Sequence, residues 1–231
     1  MSNSIIAPRW IKALLCGGAF LCACNLHGQE FLNSPLEKGP APQPPVIQQS
    51  EAVAYTATFN YFPGAQPPSP QPKALIVEKV GEIRHDIRQW TDAPQTELWM
   101  GGPVGLEKGT DAFGNPNGVH AIQLMERATA FPELAWVGKA NFAGVIRESE
   151  RTIDVYRLEG MTLDWAPFSF NKDQVFVYVD DATRLPLALK TARYSVTYNY
   201  GKPPARLDMP DEYQKVYVGV KERLEHPPTP P

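Results

Sequence analysis

Few side chains in this chain of 231 residues have the types and spacing that chemistry needs. His85, His120 and His226 stand far apart without metal-ligand spacing, so each reads as a strand or surface histidine. Asp180 and Asp181 are adjacent carboxylates that could hold a divalent cation if other oxygens converged on them. Their setting in Asp180-Asp181-Ala182-Thr183-Arg184, between two apolar runs, has a simpler reading as a turn in which aspartate bonds its own backbone. The acidic run Asp208-Met209-Pro210-Asp211-Glu212 reads as a solvated loop. Arg84 lies between Ile83 and His85, and alternation places it opposite Ile83 and Ile87, on the solvent face, as a cross-strand partner for an acid. Facing inward it would be a positioned donor, costly to bury without a partner.

The chain has no Gly-x-Ser-x-Gly elbow, no Gly-x-x-x-x-Gly-Lys phosphate loop, no Gly-x-Gly-x-x-Gly after a strand and no His-Glu-x-x-His. An enzymatic site would have to be assembled from scattered acids such as Asp154, Asp164 and Asp181. The expectation is a protein without catalytic residues, cofactor or metal. A net charge of −3 provides none of the basic field that nucleic-acid binding requires.

All three cysteines, Cys16, Cys22 and Cys24, fall within the first 28 residues, so the rest of the chain has no disulfide, thiol nucleophile or thiolate metal site. Residues 1–28 read as a signal peptide: Arg9 and Lys12 precede an uncharged apolar run from Ala13 to Cys24, which is too short to span a bilayer. Leu21-Cys22-Ala23-Cys24 resembles a lipobox, with Cys22 where Ala, Ser or Thr usually stands, and Gly28 is the competing cleavage site. Acylation of Cys24 would anchor the protein without a span, and that anchor would be its only membrane attachment. The expected location is the periplasm or outside the cell, on the outer membrane if Cys24 is lipidated.

Proline, at 24 residues against 17 glycines, concentrates in a few stretches, and these organise the chain. Residues 29–50 contain Glu-Lys-Gly-Pro-Ala-Pro-Gln-Pro-Pro-Val and read as an extended tether, while residues 225–231 read as a disordered tail. Residues 51–224 form the expected domain. Its text is mostly period two: Val53, Tyr55, Ala57, Phe59 and Tyr61 alternate with polar neighbours, and strands are expected at 74–78, 82–90, 96–100, 143–148, 152–158, 161–165, 174–180, 185–191 and 194–200. Val175, Val177 and Val179 should face Leu187 and Leu189 across a hairpin. Residues 105–118 read as a loop, and Val119, Ile122, Met125 and Ala128 recur at helical spacing, which predicts one main helix over 119–131. The expected class is mainly β: a curved antiparallel sheet or half-open barrel with that helix on its concave side.

Three stretches carry a resemblance: Ala74-Leu75-Ile76-Val77-Glu78-Lys79-Val80-Gly81-Glu82-Ile83-Arg84-His85-Asp86, the hairpin of residues 175–189, and residues 198–213 ending in Leu207-Asp208-Met209-Pro210-Asp211-Glu212-Tyr213. In this order they resemble the LolA-like superfamily of periplasmic lipoprotein carriers, half-open antiparallel barrels covered by helices. The resemblance implies binding of acyl chains in an apolar cavity, with Arg84 turned inward to hold the cover closed. It also implies an amphipathic helix before the first strand, where this chain has its proline-rich stretch.

The leading expectation is therefore an exported domain that binds a hydrophobic ligand, an acyl chain or lipoprotein, along Tyr55, Phe59, Val77, Ile83, Ile87, Leu98, Ile122, Met125, Val177 and Leu189. The alternative is a tethered structural or interaction module with a dry core, whose partner is another envelope protein.

Overall fold

The computed structural model describes residues 30–110, 116–123, 129–148 and 151–226. A first unit ends at Ser34, and its described part is a single 3-10 turn, Glu30–Asn33. The second unit contains one antiparallel sheet of 11 strands, so the chain is mainly β, as expected. β1 (Ala52–Tyr61), β2 (Pro72–Val80), β3 (Ile83–Trp90), β4 (Thr96–Gly101), β5 (Val104–Thr110) and β6 (Pro116–Gln123) run outward as a meander. β7 (Phe142–Glu148), β8 (Arg151–Trp165), β9 (Phe168–Asp180), β10 (Pro186–Lys190) and β11 (Tyr194–Gly201) form a second. The two join where β11 pairs with β1, placing Tyr55 opposite Tyr200 and Phe59 opposite Val196. β6 and β7 are left as the two edges, and the sheet is not closed.

This order imposes a crossover: after β6 the chain must pass from one edge of the sheet to the other before β7 can begin. The described part of that connection carries two 3-10 turns, Pro132–Leu134 and Lys139–Asn141. Ala130, Phe131, Leu134 and Val137 from it are buried in the main core with Tyr55, Ala57, Phe59, Leu75, Val77, Val177, Leu189, Val196 and Tyr198 of the sheet. Register places these strand residues on one face, here the crossover face. Each aliphatic or aromatic side chain fully buried there stabilises the fold by about 1.5–3 kcal/mol.

On the opposite face β3, β4 and β5 align His85, Trp99 and Leu106. The α-helix α1 (Asp211–Glu225) packs here through Tyr213, Val216, Tyr217 and Val220. Asp211 and Glu212 occupy its first turn, where carboxylates favour the helix dipole.

Several expectations are corrected. Residues 116–123 form a strand in place of the expected helix, paired with β5 so that Ala121 meets Leu106 and Ile122 meets Gly105. Val119 and Ala121 alternate as Val104 and Leu106 do, and β5 offers an antiparallel ladder within the stretch expected to be a loop, so pairing overrides the 3.6-residue spacing. Met125 lies outside the described residues. The helix sits instead at residues 211–225, across the reading of 208–212 as a loop, and it is the crossover connection that fills the main core face.

Within the second unit the proline-rich stretch packs against the sheet. Val46 and Ile47 are buried in the main core. Glu37 exchanges backbone hydrogen bonds with Val145 of β7 at 2.8 and 3.0 Å, which covers part of that edge. Gly144 permits this approach: its φ is +151°, and a Cβ there would lie 2.5 Å from the Glu37 carbonyl oxygen. Gly144→Ala is expected to destabilise the protein by about 1–3 kcal/mol in urea unfolding and to expose residues 36–40 to protease. Parent-like stability and protection would contradict this role for the glycine.

Candidate functional site

The polar centre of the crossover face is Arg84, which is fully buried. Register aligns Arg84 with Lys79 of β2 and Met100 of β4, and Asp86 with Val77 and Leu98, so Arg84 and Asp86 share one face of β3. The Arg84 guanidinium donates from Nε to Asp86 Oδ1 at 2.6 Å and from Nη2 to Oδ2 at 3.0 Å, a bidentate pair. Its Nη1 donates to the backbone carbonyls of Thr129 (2.6 Å) and Ala130 (2.9 Å) in the crossover. The Tyr55 hydroxyl donates to the same Ala130 carbonyl at 3.0 Å, and the Ala130 N–H donates to the Gln49 side chain at 3.2 Å. Burial opposes the charge on Arg84, but Asp86, Tyr55 and Glu133 together outweigh it and hold the guanidinium firmly protonated.

Glu133, in the crossover turn, is also fully buried. Its Oε1 accepts from the Tyr198 hydroxyl at 2.9 Å, while its Oε2 is buried without a hydrogen-bond partner. Burial pushes its carboxyl up to about 7, against the opposing pull of Arg84. Burial also raises the Tyr55 and Tyr198 phenols, reinforced by the nearby Glu133. The crossover closes over these groups through ring contacts, with Phe131 stacked on Tyr55 at 5.1 Å and edge-on to Tyr198 at 6.2 Å. The cluster joins the crossover to β1, β3 and β11. It fastens backbone to sheet.

Six of the expected lining residues, Tyr55, Phe59, Val77, Leu98, Val177 and Leu189, are buried, and register places them on the crossover face. Ile122 aligns with Gly105, and thereby with Met100, on that same face. Ile83 belongs to the opposite side, where it packs with the helix cluster, and Ile87 shares its parity beside Ile76 and Glu97. The parity assignment of Arg84 is reversed with them: the face read as solvent is the crossover face, and the helix covers the Ile83 face. Met125 and Cys24 lie outside the described residues.

Asp86, Glu133 and Tyr198 were not singled out. Arg84-x-Asp86 on a strand was a legible same-face pair, whereas nothing in the local text marks Glu133.

The acids of the β9–β10 hairpin do structural work. Asp180 accepts from the Thr183 N–H at 2.7 Å and hydroxyl at 2.8 Å, in keeping with the turn reading, and from Arg151 at 2.6 Å. Asp154 and Asp181 do meet, but on one guanidinium, that of Arg184, at 2.6 and 3.0 Å. The Asp164 side chain is outside the described residues. The hairpin aligns Val177 with Leu189 as expected, and a bulge between Pro186 and Ala188 takes Leu187 out of the pairing. His85 stacks on Trp99 at 4.0 Å, and His120 contacts Asn117. Among the described residues no group of three or more His, Cys, Asp or Glu is placed to hold a metal, and no helix is long and apolar enough to cross a membrane. A surface cavity of about 360 Å³ lies between the β2–β3 turn, the β4–β5 turn and α1, bordered by none of the expected lining residues.

No protein-family model and no curated protein matches the chain. Among solved structures it is similar to the crystal structure of the lipoprotein LppX of Mycobacterium tuberculosis, at 10% identity and a TM-score of 0.38, over 69% of this chain and 90% of that one. A likeness of that size decides neither family nor function.

The Arg84–Asp86 pair lends itself to a direct test of its energetics. Asp86→Ala strands a buried guanidinium and is expected to lower stability by about 3–5 kcal/mol in denaturant unfolding. The double variant Arg84→Met with Asp86→Leu, which buries no charge, is expected to be the more stable of the two. A single variant as stable as the parent would show that water reaches Arg84.

Proposed function

We propose that this chain is an exported, non-enzymatic LolA-like domain of the bacterial envelope that binds a hydrophobic ligand, an acyl chain or lipoprotein, on the crossover face. The 129–142 connection serves as its cover. One observation carries the reading: the buried Arg84 guanidinium ties the sheet to the carbonyls of Thr129 and Ala130, the role that the sequence resemblance assigns to an inward arginine. Beneath the cover lies an apolar and aromatic surface, from Val77 through Tyr55 and Tyr198 to Leu189 and Val177, that an acyl chain would meet if the cover lifts. Residues 1–28 act as the export signal, and Cys24, if acylated, places the domain at the outer membrane.

The close ring contacts between crossover and sheet favour a second reading, an interaction module whose core stays dry. Uptake of a fluorescent acyl probe separates the two. The double variant Arg84→Met with Asp86→Leu gives up two charge-assisted bonds to the cover, so it is expected to take up the probe faster than the parent by on the order of tenfold to a hundredfold. Folded parent and folded double variant that both exclude the probe would leave the dry core standing.

A further inference from the structure

The buried cluster beneath the crossover holds two carboxylates and one committed guanidinium. Asp86 takes the Nε and Nη2 of Arg84, and the carbonyls of Thr129 and Ala130 take its Nη1. Glu133 has no cation within ion-pair distance among the described residues. The groups that face it are Arg84 and Asp86 from β3, Tyr55 from β1, and Tyr198 and Tyr200 from β11. Ionised, Glu133 would bury charge that Arg84, its own backbone N–H and the Tyr198 hydroxyl offset only in part, with Oε2 left unpaired, whereas a carboxylic acid is neutral there. Glu133 rides on the crossover, and its partner Tyr198 belongs to the sheet, so lifting the crossover returns Glu133 to water.

We propose that Glu133 is a proton switch for the cover: the crossover docks with Glu133 protonated and is released as Glu133 ionises. The inference rests on the cover reading above and adds its regulation. The sign follows from the environment, since burial raises the Glu133 carboxyl to about 7 when docked, and exposure returns it to the ordinary glutamate range. Docking is therefore strongest below the exposed value and is lost as pH rises through the docked one. Over that window the docked-to-open ratio is expected to fall on the order of a hundredfold. The envelope outside the cytoplasm is where external pH would reach such a switch.

Hydrogen exchange on the full chain, corrected for the intrinsic rate, tests this at about pH 5 and about pH 8. Protection over residues 129–142 is expected to fall with rising pH on the order of a hundredfold, relative to the β8–β9 pair, and Glu133→Gln should remove that dependence. An infrared band of a buried carboxylic acid should be lost in the same variant. Tyr198→Phe removes a bond that favours the ionised form and should move the transition to higher pH, which keeps the test open if Glu133→Gln does not fold. Local opening that ignores pH, or a pH dependence that survives Glu133→Gln, would overturn the switch while leaving the cover reading intact. Residues 129–142 that exchange only together with the β8–β9 pair would overturn both.

Discussion

The structure depends on how a strand of backbone can cross an apolar sheet face without leaving its carbonyls unpaired. Two meanders joined at β1 and β11 leave β6 and β7 at opposite edges, so the connection between them has to travel over one face. Burying peptide groups on such a surface without partners costs several kcal/mol. Arg84 meets this cost for Thr129 and Ala130, with Tyr55 sharing the second carbonyl, and Asp86 in turn makes the buried guanidinium tolerable.

From that arrangement the rest of the core follows. With the crossover held at its start, Phe131, Leu134 and Val137 fall onto the aromatic stripe of β1 and β11. The proline-rich stretch adds Val46, Ile47 and the Gln49 side chain from the other side of the cluster. The helix is independent of all this: α1 covers Trp99 and Leu106 on the opposite face, where it buries β3, β4 and β5 from behind. A sheet buried on both sides near β3 leaves little freedom in that strand, which is a rigid base for a fastening such as Arg84.

The strands whose outer face is polar were legible in sequence, β1 above all, because Val53 to Tyr61 alternate against Ala54, Thr56, Thr58 and Asn60. Where both faces are covered, parity no longer says which side is wet. Ile83 and Ile87 on one side of β3 and Arg84 on the other were consequently assigned the wrong way round, and it was the family resemblance, not alternation, that turned Arg84 inward. The pair β5 and β6 escapes the sequence because Val119 and Ile122 satisfy a helical period while Val119 and Ala121 satisfy a strand period, and only the partner strand decides between them. In contrast, the helix at 211–225 has a readable signal in Tyr213, Val216, Tyr217 and Val220, behind the acidic residues whose text reads as a loop. Composition reads residues 29–50 as a tether and cannot say that Val46 and Ile47 dock, since docking depends on a face built by strands far away in sequence.

The proposed function requires the crossover face to be a binding surface and not merely a core. Native mass spectrometry of the protein purified from its host's envelope tests this most directly. A binding surface gives a reproducible bound lipid mass that is released on collisional activation. A protein that carries no lipid from the envelope, and that also stays empty when incubated with envelope lipid extract, would contradict it.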